Sequence, residues 1–358
     1  MMTKSDIPTP ALVVDLPTME RNIRLMSDYF ASRACKLRPH FKAHKTPEIA
    51  RRQIAAGSCT GLTCATIGEA EVAATVSNDI LIANEIVDAD KCRRAAALAQ
   101  KVGVTVAIDS VAGLEQLSRA ATEAGVTLGV LVDLNVGQNR CGVAPGEEAV
   151  ALGKRARTMP GLKLRGVMGY EGHAVGIHHR AEREAAVRRS MNQLSSTAKM
   201  FAEAGLPTEL VSGGGTGSYD ISSEVERINE IQAGSYALMD SDYGSLDTPF
   251  QQALFVLGTV VSRPVPERCV IDAGHKACTK DHGNPSVKGM KDATVLALND
   301  EHAIIAIPPA SQVRVGDRLA LVPSHIDPTM NLHDVVYALD GDNVVGVWPI
   351  AARGYGRG

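Results

Sequence analysis

The chain has 358 residues, of which 45% are hydrophobic and 22% charged. That excludes a disordered or collagen-like chain, and the length suits one large barrel plus a smaller domain. Lys and Arg number 37 against 40 Asp and Glu, a net charge of -3 with no basic excess for a nucleic acid backbone, so no nucleic acid partner is expected.

Residues 10–240 read as alternating strand and helix. Predicted strands end near Lys42, Ala65, Ala83, Ile108, Leu134, Gly169, Ser212 and Ala237. The clearest helices between them are Glu69–Val76, Asp88–Val102, Ser110–Ala124 and Arg180–Ala204, and Asp109-Ser110 before Val111 is an N-cap signal. Eight strands with interleaved helices predict an α/β fold, a (β/α)8 barrel over residues 10–244, in preference to a doubly wound open sheet. After residue 245 the texture changes to Val/Ile/Leu-rich runs separated by turn residues. These are Phe255–Val261, Cys269–Asp272, Thr294–Leu298, Ala303–Ile307, Leu319–Val322 and Val344–Trp348. They predict a β domain made of residues 1–9 and 245–358, to which Ala11–Asp15 adds a strand. No apolar run reaches the roughly 18–20 residues of a membrane helix, and Met1 to Pro10 lacks the apolar stretch of a signal peptide. Seven scattered cysteines without a C-x-x-C pair indicate neither a zinc knuckle nor a disulfide framework. A cytoplasmic protein with reduced thiols and no membrane contact is the expectation.

In such a barrel, chemistry belongs at the C-terminal ends of the strands. Lys42 ends the first, in Arg38-Pro39-His40-Phe41-Lys42-Ala43-His44-Lys45. A lysine held in a barrel mouth can form a Schiff base with a carbonyl, although taken alone it reads first as a solvated residue. Arg140 follows the fifth strand between glycines that let the backbone turn and aim the guanidinium inward; a structural salt bridge is the equal alternative. Ser212-Gly213-Gly214-Gly215-Thr216-Gly217-Ser218 follows the seventh strand. Small residues there let N–H groups converge on a phosphate, and Gly234-Ser235-Tyr236 comes at the eighth, where barrels recurrently bind phosphate. Tyr170-Glu171-Gly172-His173, with His178, His179 and Arg180 shortly after, is dense enough for acid–base work, or else the solvated start of a helix. In the β domain, His325 and Asp327 lie two apart and project to one side of an extended chain. An imidazole and a carboxylate so placed suit a hard or borderline divalent ion such as Mn2+ or Mg2+, although the spacing alone is more often surface decoration.

Together these segments resemble the fold-type III pyridoxal-phosphate enzymes, and among them the D-threonine aldolase group, with D-serine dehydratases and 3-hydroxyaspartate aldolases as relatives. The resemblance runs from Thr9 to Gly354. It is most specific at Arg38–Lys45, Ser212–Ser218, Gln232–Tyr236 and Leu321–Thr329. It implies an alanine racemase-like barrel with pyridoxal 5'-phosphate on Lys42, which reverses the first reading of that lysine. It further implies Arg140 on the cofactor's phenolate oxygen, Tyr170 against the ring and Gln232 beside the ring nitrogen. Gly214, Gly215, Thr216, Gly234, Ser235 and Tyr236 would hold the phosphate, and His325 and Asp327 a divalent metal. The loop after Tyr170 is about two residues longer than in the family, so His178 is the better match to the catalytic histidine and His173 the second. Dehydratase relatives usually carry cysteine and zinc where this chain has Asp327, which leans toward the aldolases; Thr66 leans toward the dehydratases. The implied activity is metal-dependent cleavage of D-threonine or a related β-hydroxy-D-amino acid to glycine and an aldehyde. The alternatives are a β-hydroxy-D-amino-acid dehydratase and a non-catalytic pyridoxal-phosphate carrier; the β domain and the metal pair speak against the last. The resemblance also implies a homodimer.

Overall fold

The structure is a computed structural model that describes residues 2–354. It divides into two compact units, residues 26–42 with 49–234, and residues 2–25 with 43–48 and 235–354. The chain opens with β1 (Ala11–Asp15) and α1 (Leu16–Ala31). Then follow β2 (Lys36–Leu37), α2 (Pro47–Ala55), β3 (Leu62–Cys64), α3 (Ile67–Ala73), β4 (Asp79–Glu85), α4 (Ala89–Leu98), β5 (Gly103–Ile108) and α5 (Val111–Ala124). Next come β6 (Leu128–Asp133), α6 (Glu147–Arg157), β7 (Leu162–Gly169), α7 (Arg180–Glu203), β8 (Leu210–Gly213), α8 (Tyr219–Ser222) and β9 (Glu230–Ile231).

Strands β2 to β9 form one parallel sheet in the order β2-β9-β8-β7-β6-β5-β4-β3. Its two edges meet: Leu37 bridges Cys59, His40 bridges Thr63, and the Thr63 N–H donates to the Pro39 carbonyl at 2.9 Å. The sheet thus curls into the (β/α)8 barrel that the alternation of strand and helix predicts. Side chains alternate across a strand, so every second residue faces inward. Leu81, Ala107, Leu131, Met168 and Leu210, one from each of five neighbouring strands, form a buried cluster accordingly. The helices start where the sequence supplies caps. The Ser110 hydroxyl accepts from the Gly113 N–H at 3.2 Å, and the Asp88 carboxylate from the N–H groups of Asp90 and Lys91 at 3.0 Å each. Each cap satisfies donors that the first helical turn would otherwise leave bare.

Two strand ends differ from the sequence reading. The first strand stops at Leu37, and Lys42 lies beyond it in a 3-10 turn, Phe41–Ala43. The eighth ends at Ile231, because Ser235–Ala237 is itself a 3-10 turn. Helices α1, α2 and α6 were not singled out, although Met19, Ile23, Met26 and Phe30 repeat at helical spacing and are all buried.

The second unit is built on β1 and β10 (Leu254–Val265), β11 (Arg268–Ile271), β12 (Ser286–Val287), β13 (Thr294–Leu298), β14 (Ala303–Ala306) and β15 (Arg318–Val322). The short helix α9 (Ile326–Met330), β16 (Val335–Asp340) and β17 (Asn343–Pro349) complete it. The sheet runs β13-β14-β11-β10-β1-β16-β17, with β15 on β10 and β12 on β15. As expected, β1 joins it, antiparallel to β10 and parallel to β16. Its core includes Ile7, Val13, Phe255, Leu257 and Val322. No helix among the described residues is long and apolar enough to cross a membrane.

Candidate active site

The predicted barrel residues all lie at or beyond the C-terminal ends of the strands. Lys42 is half-buried, and its N–H donates to His40 Nδ1 at 3.4 Å. Below it, Arg38 is fully buried, with its Nε 2.8 Å from Glu230 Oε2 and its Nη1 3.1 Å from Asp79 Oδ1. Burial alone would loosen the guanidinium's hold on its proton, but Glu230 and Asp79 outweigh that and raise its pKa. Glu230 also accepts from the Thr60 and Ser212 hydroxyls, both at 2.8 Å, and Ser212 Oγ accepts from Gln232 Nε2 at 2.9 Å. One buried polar chain therefore ties the start of the lysine loop to the amide of Gln232. The family resemblance points to Gln232 but not to Glu230 and Asp79, which stand in unremarkable strand sequence.

Gly214 and Gly215 form the turn after β8. Gly214 has a φ of +75°, and a Cβ there would meet the Ile231 side chain at 2.8 Å; a Cβ on Gly215 would press the Tyr170 ring at 3.3 Å. The turn rests on Glu171, which is fully buried. Its carboxylate accepts from the Ser218 hydroxyl at 2.6 Å, the Ser222 hydroxyl at 2.8 Å and the Gly214 N–H at 3.2 Å. The Gly215 N–H donates to Ser218 Oγ at 3.0 Å. Both glycine N–H groups are thus committed inside the turn, and Thr216 is buried beside them. A preformed cradle of small residues with a buried anchor fits a phosphate. Glu171→Ala would strand two hydroxyls and an N–H and is expected to destabilise the fold by about 2–4 kcal/mol, measured by denaturant unfolding. Gly234 is buried just past β9, and Ser235 and Tyr236 belong to the other unit, where Tyr236 is buried with its ring 5.7 Å from that of Phe250.

Arg140 is exposed, with its guanidinium 5.9 Å from the centre of the Tyr170 ring. Nearby, three carboxyls end neighbouring strands: Glu85 on β4, Asp109 just after β5 and Asp133 on β6. Burial pushes the Asp133 carboxyl up to about 8, Glu85 adding to the rise by its charge and a hydrogen bond while Arg140 opposes it. An acid whose pKa is raised on folding holds its proton while the unfolded chain releases it. Asp133 therefore costs stability increasingly as pH climbs from about 4 toward 8. Asp133→Asn should flatten this slope, so that its Tm, relative to the parent, is higher at pH 8 than at pH 5.

His173 and His178 are both exposed on the loop between β7 and α7. The His173 ring lies against Gly137, where a Cβ would come within 2.8 Å of it. His178 is held through its backbone, since its carbonyl accepts from the buried Arg183 at 3.3 Å beside that of Ile177 at 2.7 Å.

In the other unit, His325 caps α9. Its Nδ1 is 2.6 Å from Asp281 Oδ2 and its Nε2 is 4.0 Å from Asp327 Oδ1. Two ligands of one ion, each about 2.1 Å from it, stand roughly 3–4 Å apart, so the second distance fits a shared divalent cation. The first engages Nδ1, so Nε2 is the nitrogen that would face an ion, with Asp281 orienting the ring from behind. His282 stacks on His325 with ring centres 4.2 Å apart, and Asp281, His282 and His325 form one group whose donor atoms lie within 4.8 Å. Asp281 and His282 were missed, although an Asp-His pair in a Gly/Asn/Pro-rich turn was a visible sign. Asp281→Asn is expected to weaken divalent-metal affinity about 10–100-fold, as read by metal titration.

The alanine racemase N-terminal domain family matches residues 14–242, and the putative serine dehydratase domain family residues 253–339. A D-threonine aldolase of Arthrobacter sp. is 40% identical across 98% of this chain and 94% of its own length. The chain belongs to the D-threonine aldolase group of fold-type III pyridoxal-phosphate enzymes. A 3-hydroxy-D-aspartate aldolase of Paracoccus denitrificans from this group is 37% identical over 99% of the chain and 94% of its own. The solved D-threonine aldolase of Filomicrobium marinum, at 37% identity, superposes with a TM-score of 0.96 over 98% of this chain and 97% of that one.

Proposed function

We propose that this protein is a pyridoxal-phosphate lyase that cleaves D-threonine or a related β-hydroxy-D-amino acid, such as 3-hydroxy-D-aspartate, to glycine and an aldehyde. The observation that carries this reading is the 40% identity to the D-threonine aldolase over almost the whole of both chains. The lysine and the glycine cradle, both at the C-terminal ends of barrel strands, support it.

Pyridoxal phosphate, when bound, supplies an electron sink for the charge that develops on the substrate's Cα. Lys42 would hold it through its ε-amine. The Arg140 guanidinium would offset the charge on the phenolate oxygen, and Tyr170 would press on the ring. Gln232, its amide oriented by Ser212, would face the ring nitrogen. Gly214 and Gly215 would shape the phosphate cradle, and Thr216 and Gly234 would help to hold the phosphate. His178, or His173 in its place, would accept the β-hydroxyl proton at a ring nitrogen. That oxygen's electron pair then forms the aldehyde's carbonyl as the Cα–Cβ bond breaks, and the electron pair left on Cα takes up a proton, balancing the one removed from the hydroxyl, to give glycine. His325 Nε2 and the Asp327 carboxylate would hold a divalent ion, Mn2+ or Mg2+ by donor hardness, whose contribution is Lewis acidity toward a hydroxyl.

The match of residues 253–339 to a serine dehydratase domain keeps dehydration as the second reading. Incubation with D-threonine and Mn2+ separates the two. Glycine with acetaldehyde is the expected outcome; ammonia with 2-oxobutanoate would establish the dehydratase instead. We assign the enzyme to the cytoplasm as a homodimer on family grounds, and sedimentation at micromolar concentration tests the second assignment.

A further inference from the structure

Ser212, Glu230 and Gln232 share the inward face of the barrel. Ser212 follows Leu210 of the buried cluster by two residues and pairs in register with Glu230 on β9, and Gln232 follows Glu230 by two. Their hydrogen bonds form a chain of fixed polarity. At its root the fully buried Arg38 donates from Nε to Glu230 Oε2 at 2.8 Å, and the Thr60 hydroxyl donates to the same oxygen at 2.8 Å. A carboxylate paired with a guanidinium only accepts. Its Oε1 therefore takes the single hydrogen of the Ser212 hydroxyl, at 2.8 Å. Ser212 Oγ is left with lone pairs alone, so the group that meets it at 2.9 Å is the NH2 of Gln232. Turned around, the amide would set its oxygen against an oxygen with no hydrogen left to give. Gln232 Oε1, on the amide's other arm, takes no hydrogen bond among the described residues and is not sealed from solvent. Gln232 stands one residue beyond β9, at the barrel end that carries the glycine turn.

We propose, on the assignment of Gln232 to the cofactor's ring nitrogen, that Glu230 and Ser212 are positioning residues that lock Gln232 with its carbonyl oxygen toward that nitrogen, so that the site favours the protonated ring. An amide oxygen accepts a hydrogen bond from a protonated ring nitrogen and has nothing to offer a bare one; an NH2 does the reverse. A hydrogen bond open only to the protonated form favours it by about tenfold, which is about one pH unit. A positively charged ring draws electrons more strongly, and that serves a reaction in which charge develops on Cα. The charged groups along the chain are Glu230 on β9, Arg38 just past β2, Asp79 on β4 at 3.1 Å from Arg38, and Arg165 on β7 at 3.9 Å from Asp79 and 2.7 Å from Glu209. They alternate in sign, and the chain ends in two neutral groups. What it delivers at Gln232 is a direction of hydrogen bonding rather than a bare charge.

The full-length protein, loaded with pyridoxal phosphate carrying 15N in its ring, reports that proton through the nitrogen's chemical shift, followed by NMR across a pH series. The midpoint for loss of the proton should lie about one pH unit higher in the parent than in Gln232→Leu. Glu230→Gln is the sharper variant. Arg38 and Thr60 both donate to the Oε2 position, so the new amide keeps its oxygen there and turns its NH2 to Ser212. Ser212 then accepts from below and donates to Gln232, whose amide turns around. The midpoint of Glu230→Gln should therefore fall to that of Gln232→Leu or lower, while the same change made in Gln232→Leu should move it little, which separates the reversal from the lost charge. Circular dichroism checks the fold; if Glu230→Gln does not keep it, Ser212→Ala, which frees the amide to present either end, should lie below the parent. Midpoints for Glu230→Gln and Ser212→Ala equal to the parent's, with Gln232→Leu still lowered, would overturn the lock alone. Equal midpoints in the parent and Gln232→Leu would overturn the placing of Gln232 at the ring nitrogen and this inference with it. A parent that took up no labelled cofactor would overturn the proposed function itself.

Discussion

Lys42→Ala is expected to lower kcat/KM for D-threonine by at least about 10,000-fold, or ~5.5 kcal/mol of transition-state stabilisation, and to abolish the visible absorbance of the purified protein. The reason is chemical rather than structural. In the proposed function the lysine's ε-amine would hold the cofactor through its aldehyde, and no other side chain in the Phe41–Ala43 turn is a nucleophile. Lys42→Arg should be as inactive, because a guanidinium stays protonated and cannot attack a carbonyl. Lys42 is half-buried in a short turn, so the unfolding midpoint of either cofactor-free variant should stay close to the parent's. A fall in Tm of more than about 5 °C would assign the lysine a structural duty that this account does not give it.

The second large effect concerns the β unit. His325→Ala is expected to cost about 1,000-fold in kcat, and chelation of the parent should cost the same. His325 is the hinge of its cluster: one ring nitrogen meets Asp281 at 2.6 Å while the other faces Asp327 across 4.0 Å. Removing the ring would take away a proposed ligand and leave Asp281 with nothing to orient. Excess Mn2+ should therefore restore activity to Asp281→Asn, where both proposed ligands survive, and fail with His325→Ala. Chelation that left turnover intact would dismiss the metal from the mechanism.

Much of this was legible in the sequence, for identifiable reasons. The barrel strands Gly103–Ile108 and Leu128–Asp133 are β-branched or aliphatic runs, and Ser110 and Asp88 announce the helices after two of them. The eighth strand was misjudged because Glu230–Ile231 is only two residues long, and the apolar Tyr236-Ala237-Leu238 that follows is buried in a 3-10 turn rather than a strand. The site splits along a similar line. Glycines at 214 and 215 carry a local signature, so the cradle could be named directly, whereas Lys42 taken alone reads as a solvated lysine and is named through the family resemblance. Glu230 has no such mark: it is a lone acid in ordinary sequence, and its role comes from Arg38, 192 residues away, which only closure of the barrel brings near. Glu171 stands in a segment whose density suggests acid–base work, but its anchoring of the glycine turn depends on partners 43–51 residues away. Asp281 and His282 lie between these cases: the dipeptide is visible, but its pairing with His325 crosses 44 residues.

The central claim is tested most directly by reducing the cofactor-loaded enzyme with borohydride, digesting it and sequencing the labelled peptide by mass spectrometry. The account predicts one phosphopyridoxyl group per chain, carried on Lys42. A label on Lys45 or another lysine, or no label at all, would contradict it.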